Sequence, residues 1–282
     1  MNNEKKNEIL SGEDYKEPIC PFVTDFYEGG ASVEPIPMQR VVEKLDELLY
    51  GKGDIDAARR HLEYWERAAE AGRDLRGLLT VENEMMGFYR QNATKEDAYG
   101  AAERGIELLP VLGLEDTISG ATTYLNAATV YKTFGEPEKA VESYERAKVI
   151  YEKCLEKNDT RMAGLYNNYA LALCDVGRYD EAEKSYFSAL EIVENDGTQV
   201  LERAITYLNL ADLYYIKLGE LESSDLVEKY LGMAENIFES DVPRNGYYAY
   251  VCEKSAPTFR YYGWFMTAKT LEERAKAIYD RA

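Results

Sequence analysis

A pattern of alanine, tyrosine and glycine recurs along this chain at steps of 42 residues, and it constrains the fold more than any other feature. In residues 166–192, a segment rich in tyrosine and alanine precedes Gly177, and Ala182 follows five residues beyond the glycine. Forty-two residues earlier, Gly135 and Ala140 occupy the same places. A repeat of this length predicts that one structural unit is stacked several times along the chain.

Each copy of the pattern predicts a pair of antiparallel helices. Small and apolar residues recur at intervals of three and four on both sides of Gly177, which is the spacing of an amphipathic helix. Glycine at that point is typical of a turn or a helix terminator. The same turn position is taken by Gly53, Gly219 and Gly263 in other copies. The chain is therefore predicted to be all-α, an α-solenoid of about six stacked antiparallel helix pairs.

The repeats divide the chain into two parts. Residues 1–38 do not repeat, and we expect an irregular acidic segment whose apolar stretch 19–27 docks on the first repeats. Residues 39–282 form the helical repeat domain. Its predicted pairs lie near residues 39–78, 79–120, 121–162, 163–203, 204–245 and 246–282.

Six alanines mark the places where helices are expected to cross closely, because only a small side chain fits at such a contact. They are Ala128, Ala140, Ala147, Ala170, Ala182 and Ala189. A single helix pair cannot bury both of its faces, so these contacts also predict that neighbouring pairs stack.

The register of small residues and the turn Gly177-Arg178-Tyr179-Asp180-Glu181-Ala182 resemble the tetratricopeptide repeat family. Ordinary members repeat every ~34 residues, and the 42-residue step here is similar to the longer-helix variety of kinesin light chains and bacterial peptide-pheromone receptors. The resemblance implies a right-handed α-solenoid. Three residues depart from the family pattern: Trp65, Pro137 and Pro257.

Asparagines recur in the first helix of each pair, two residues before its small alanine, at Asn126, Asn168 and Asn209. Asn167 is adjacent to this register, and Asn83 lies one residue off it in the preceding repeat. Asparagine is a mediocre helix former and cannot act as an N-cap this deep in a helix. An amide on the inner face could hydrogen-bond an extended peptide, as the resemblance implies, or could join neighbouring helices and stabilise the stack.

Six residues beyond this register come Lys132 and Tyr215, and Arg90 lies six residues beyond Glu84, which occupies the register in the preceding repeat. The two basic residues would favour a carboxylate on the ligand, although ordinary solvated side chains explain them equally well. The predicted peptide-binding groove comprises Asn83, Arg90, Asn126, Lys132, Asn167, Asn168, Asn209 and Tyr215.

Composition and motifs restrict the class of function. The net charge of −19 argues against nucleic acid and membrane surfaces as partners, and no apolar run approaches the roughly 20 residues of a membrane helix. Four dispersed cysteines without a CxxC pair indicate a reducing, cytoplasmic compartment. The one histidine, His61, is expected to be a surface or hydrogen-bonded residue. We therefore predict no metal site, no cofactor and no enzymatic activity.

The leading hypothesis is a protein–protein interaction module that binds an extended peptide or partner segment in its concave groove. The alternative is a scaffold that packs on a larger assembly, or on a second copy of itself, through its outer face. A peptide-pheromone sensor is a third hypothesis, but the chain offers no DNA-binding region for it. The aromatic residues of 246–265 either form a pocket for an apolar anchor or fill the core of the last repeats.

Overall fold

The computed structural model describes residues 33–51, 53–92, 94–195 and 199–281. All regular secondary structure within these ranges is helical, which confirms the predicted all-α class. Contacts between helices divide the chain after Phe134 into two compact units. The expectation that residues 19–27 dock on the first repeats lies outside the described residues.

The first unit contains five described α-helices and a π-helical turn. They are α1 (Met38–Asp46), the π-helical turn (Glu47–Gly51), α2 (Ile55–Ala71), α3 (Leu75–Asn92), α4 (Lys95–Leu112) and α5 (Ile118–Thr133). Each of α2, α3 and α4 packs on the helix that follows it, and α3 also packs on α5. Asp54, Thr94 and Thr117 cap α2, α4 and α5 by accepting a backbone N–H three residues further on.

The second unit contains seven described α-helices. They are α6 (Pro137–Cys154), α7 (Thr160–Asp175), α8 (Tyr179–Asn195), α9 (Val200–Leu218), α10 (Glu220–Glu239), α11 (Gly246–Tyr261) and α12 (Phe265–Tyr279). The pairs α7–α8, α9–α10 and α11–α12 have the closest contacts, and α9 packs on both α7 and α11. First helices of successive pairs thus lie side by side, as stacking requires. Helix α11 continues through Pro257.

The glycines assigned to the turns adopt the left-handed backbone conformation that a turn needs. Their φ angles are +63°, +78°, +75°, +84° and +83° at Gly53, Gly135, Gly177, Gly219 and Gly263. A side chain makes this conformation unfavourable. The positive φ angle of the turn therefore explains why glycine recurs at this position.

The alanines predicted at helix crossings are completely buried. None of the six exposes any surface, and Tyr144 and Tyr186 are equally enclosed. Small side chains at the crossings and large ones beside them are what close packing of helices demands. Their complete burial supports the packing explanation of the repeat.

The segment before α1 is anchored to the turn between α2 and α3. The carboxylate of Asp74, itself buried, accepts the backbone N–H of Ile36 at 2.9 Å and that of Gly77 at 2.9 Å. The N–H of Glu34 donates to the carbonyl of Gly72 at 2.9 Å. Asp74 thus caps α3 and ties the incoming chain to it.

His61 is a buried, hydrogen-bonded residue. Its Nε2 lies 2.9 Å from the carbonyl oxygen of Val41, to which it donates in the matching tautomer. Burial lowers the pKa of the imidazole, which favours its neutral form. This agrees with the interpretation of His61 as a satisfied histidine.

The aromatic residues between 246 and 265 divide between core and surface. Tyr248 and Phe259 are completely buried, whereas Tyr247, Tyr250 and Tyr261 are exposed. Filling of the core therefore accounts for the aromatic residues on one face of α11, whereas those on the other face are exposed to solvent.

Candidate functional site

A groove of about 540 Å³ lies between α3 and α5, the first helices of two successive pairs in the first unit. It is lined by Arg76, Leu79, Thr80, Asn83, Glu84, Gly87, Leu114, Ile118, Ser119, Thr122, Thr123 and Asn126. Residues three and four apart share one face of a helix, so each helix presents a continuous stripe to the groove. Most of the lining side chains are amides, hydroxyls or charged groups.

Asn83 is held by neighbouring helices rather than left open to the groove. Its Nδ2 donates to the carbonyl of Leu79 at 2.8 Å and to the hydroxyl of Thr123 at 3.1 Å. Its Oδ1 accepts from Nδ2 of Asn126 at 2.8 Å. Both N–H donors of Asn83 and its oxygen are therefore engaged, and the side chain joins α3 to α5.

The second unit repeats this connection between α7 and α9. Nδ2 of Asn167 donates to the hydroxyl of Thr206 at 2.9 Å, and that hydroxyl donates to the carbonyl of Glu202 at 2.8 Å. Like Thr123, Thr206 is completely buried. Because Asn167 lies 84 residues, or two repeats, beyond Asn83, the two asparagines occupy the same structural position.

The other asparagines differ from this pair. Asn168 and Asn209 are half-buried, and no hydrogen bond joins either side chain to another described residue. Asn126 uses one N–H to reach Asn83, while its second N–H and its Oδ1 have no partner among the described residues. The stack thus engages Asn83 fully and Asn167 through its hydrogen bond with Thr206, and it leaves hydrogen-bonding capacity on Asn126, Asn168 and Asn209.

The groove also contains the half-buried carboxyl of Glu84. No ion pair joins it to another residue in the described part of the chain. Burial raises the pKa of this carboxyl, and the negative charge of Asp46, at the end of α1, raises it further. Arg76 lines the same groove eight residues earlier, about 12 Å away along the helix axis.

Gly87 lies one turn beyond Asn83, in the interior of α3, and also lines the groove. A methyl group placed on it would meet no atom within 4 Å. Glycine inside a helix costs about 1 kcal/mol relative to alanine, and packing gives no reason for it here. The missing side chain leaves space beside Glu84.

Three further predicted residues lie beyond the groove lining. Arg90 is half-buried, and its Nε is buried without a hydrogen-bond partner among the described residues. Lys132 is half-buried near the end of α5. In the second unit, the ring of Tyr215 packs edge-on against Tyr261 and Tyr262, each at 5.6 Å. Their ligand-binding role stays a prediction.

An ionic cluster with a buried carboxylate joins α2, α3 and α4. Arg104 donates through Nε and Nη2 to the two carboxylate oxygens of Glu82, at 2.8 and 3.2 Å. Its Nη2 also lies 2.9 Å from a carboxylate oxygen of Glu66. Glu82 is completely buried, and this burial raises its pKa to about 7 although the guanidinium opposes the shift.

Sequence reasoning missed Thr123, Glu84 and Gly87. Thr123 lies three residues before Asn126, and nothing in the pattern identified it as a partner for Asn83. Gly87 had a detectable signal, because glycine in the middle of a predicted helix has no local explanation. Glu84 was one acidic residue among 52.

Comparison of the sequence with models of known families identifies the repeat. Residues 121–154 and 161–236 match family models of the tetratricopeptide repeat. These two stretches carry tetratricopeptide repeats. Such repeats generally mediate protein–protein interaction or scaffolding and are typically non-enzymatic. No match was found among curated protein sequences.

Solved structures of repeat proteins are similar to this chain. The nearly identical tetratricopeptide-like repeats of a Podosopora anserina protein described as a kinesin light chain match with a TM-score of 0.52 and 19% identity, over 72% of this chain and 95% of that one. MamA matches at 0.49 and 17%, over 73% and 96%. BtubC (BKLC) from P. vanneervenii matches at 0.43 and 21%, over 86% and 89%. The first of these shows the fold alone.

A search for membrane-crossing segments covered the described residues. Within them, no helix combines the length and the apolar character needed to span a bilayer.

Proposed function

We propose that this protein binds an extended peptide or partner segment along the faces of its first helices, with the groove between α3 and α5 as one contact site. The observation that carries the proposal is Asn126. This side chain lines the groove and keeps one N–H donor and its Oδ1 acceptor without a partner in the described structure. A donor and an acceptor on one side chain match the alternating C=O and N–H groups of an extended backbone.

The pattern in the second unit supports the same proposal. Asn168 lies 42 residues beyond Asn126 in α7, and Asn209 follows 41 residues later in α9. Both are half-buried. Since neither side chain makes a hydrogen bond to another described residue, stacking does not account for these two asparagines.

A random library of twelve-residue peptides displayed on phage tests the proposal. We expect the full chain to enrich peptides, and a variant with Asn126→Ala and Asn168→Ala to bind them about tenfold or more weakly, because each amide loses hydrogen bonds to the ligand. Fluorescence anisotropy with the synthesised peptides measures the affinity. Far-ultraviolet circular dichroism should show an unchanged helix content.

The matched control is a variant with Asn83→Ala and Asn167→Ala. It removes the same two functional groups, one from α3 and one from α7, at positions whose hydrogen bonds join first helices to each other. We expect lower stability with little loss of peptide affinity. Full affinity in the variant of Asn126 and Asn168, or no enriched peptide for the wild type, would overturn the proposal.

A second groove favours the scaffold alternative. It measures about 500 Å³ and lies among α8, α9 and α10, lined in part by Phe187, Leu190, Tyr207 and Met233. Phe187 is 44% exposed. Because a net charge of −19 opposes pairing with a second copy, its occupant would be an apolar side chain of a different protein.

The variant Phe187→Asp separates the two functions. If the scaffold function is the principal one, peptides enriched on the wild type should no longer bind Phe187→Asp. The same peptides should still bind the variant with Asn126→Ala and Asn168→Ala. The opposite result supports the groove between α3 and α5. Sedimentation velocity detects self-association, which would contradict the charge argument.

A further inference from the structure

The groove between α3 and α5 contains an uncompensated negative charge. Glu84 is half-buried, has no ion-pair partner among the described residues, and is near the carboxylate of Asp46. A buried charge is costly unless a charge of opposite sign accompanies it. A cation delivered by a ligand would remove this cost and gain a charge-assisted hydrogen bond.

The space beside Glu84 is large enough for a ligand side chain. Gly87 lies three residues along the same face of α3, and a Cβ at this position would have no neighbour within 4 Å. Since neither packing nor a positive φ accounts for this glycine, its effect is to leave the groove open next to the carboxylate.

The charges of the groove are also ordered along α3. Arg76 lies about two helical turns before Glu84, with Thr80 between them. The part of the groove around Glu84 is therefore negatively charged. Hydroxyl and amide groups separate it from the positive charge of Arg76.

We infer that the groove selects an extended peptide that carries a lysine or arginine side chain, and that this side chain lies over Gly87 with its cation on the carboxylate of Glu84. The inference rests on the proposed function and specifies its ligand. It differs from the expectation drawn from Arg90 and Lys132, which favoured an acidic ligand, because neither of those residues lines this groove.

The test compares peptides enriched from the random twelve-residue library by the wild-type chain and by Glu84→Gln. We expect one lysine or arginine position to be strongly enriched with the wild type and not with Glu84→Gln. For a selected peptide, lysine-to-glutamine replacement should weaken binding to the wild type about tenfold, as expected for a charge-assisted hydrogen bond. The same replacement should change binding to Glu84→Gln less than about threefold.

The control Glu107→Gln makes the same charge change on an exposed part of α4. It should keep the enrichment, which separates a local contact from the general attraction of an acidic chain for basic peptides. Gly87→Leu should fill the space, weaken the same peptide about tenfold, and leave thermal stability unchanged or higher.

The outcomes distinguish this inference from the proposed function. Peptides enriched without a basic position, or a basic position kept by Glu84→Gln, would overturn the inference while peptide binding stands. Loss of the basic position in Glu107→Gln as well would assign the preference to net charge and overturn it too. Absence of any enriched peptide would overturn both.

Discussion

Replacing Glu82 by glutamine should remove most of the pH dependence that this buried carboxyl imposes on stability. Glu82 exposes no surface, and two oxygens of its carboxylate accept from Arg104. Burial raises its pKa from an ordinary 4.5 to about 7, against the opposing effect of Arg104 and with a smaller contribution from the negative charge of Glu66. Glutamine resembles the protonated side chain and does not titrate.

The sign follows from proton linkage. The folded chain holds the Glu82 proton more tightly than the unfolded chain, so the stabilisation is complete below about pH 4.5 and is lost as the pH rises through about 7. A tenfold change in a protonation equilibrium is worth about 1.4 kcal/mol, so the loss amounts to at most about 3 kcal/mol. Titration of Glu82 should therefore lower the free energy of unfolding as the pH rises.

Urea unfolding followed by circular dichroism, at several values between about pH 5 and pH 8, measures the effect. The difference in free energy of unfolding between the wild type and Glu82→Gln should shift by up to about 3 kcal/mol in favour of the variant across this range. The exposed Glu107→Gln variant serves as the control and should show no such shift. A difference independent of pH, or one that shifts in favour of the wild type as the pH rises, would refute the reasoning.

Three further predictions concern the repeat itself. Asn167→Ala should lower the free energy of unfolding by about 1 kcal/mol, because it removes the hydrogen bond to Thr206; an unchanged urea midpoint would contradict this. Gly177→Ala should cost about 1–2 kcal/mol, because φ is +75° there, whereas Gly164→Ala inside α7 should stabilise by up to about 1 kcal/mol. Thermal unfolding shows whether the two glycines differ in sign. Ala182→Leu should cost about 1–3 kcal/mol, since this fully buried position has no room for a larger side chain; calorimetry with an unchanged melting temperature would show the crossing to be looser than described.

The architecture was predictable because its causes are local and repeated. Gly177 is required by the backbone of a turn, and Ala182 by the crossing of the helices that the turn connects, so each copy carries the same residues at the same spacing. One copy of this pattern predicts a helix pair only weakly, whereas three copies in the same register predict it strongly. The irregular first pair, where a π-helical turn follows a short α1, had no such repetition to support it.

The sequence by itself determined the helix pairs, their glycine turns and their alanine crossings, because backbone conformation and close packing act between residues within one repeat. Only the tertiary structure decided which asparagines join neighbouring helices and which retain donors and acceptors. Asn83 lies within one residue of the register of Asn126, yet Asn83 is satisfied by Thr123, 40 residues away on another helix. The environment of Glu84 likewise depends on side chains brought together by stacking, since burial and charge compensation arise from neighbours in space rather than in sequence.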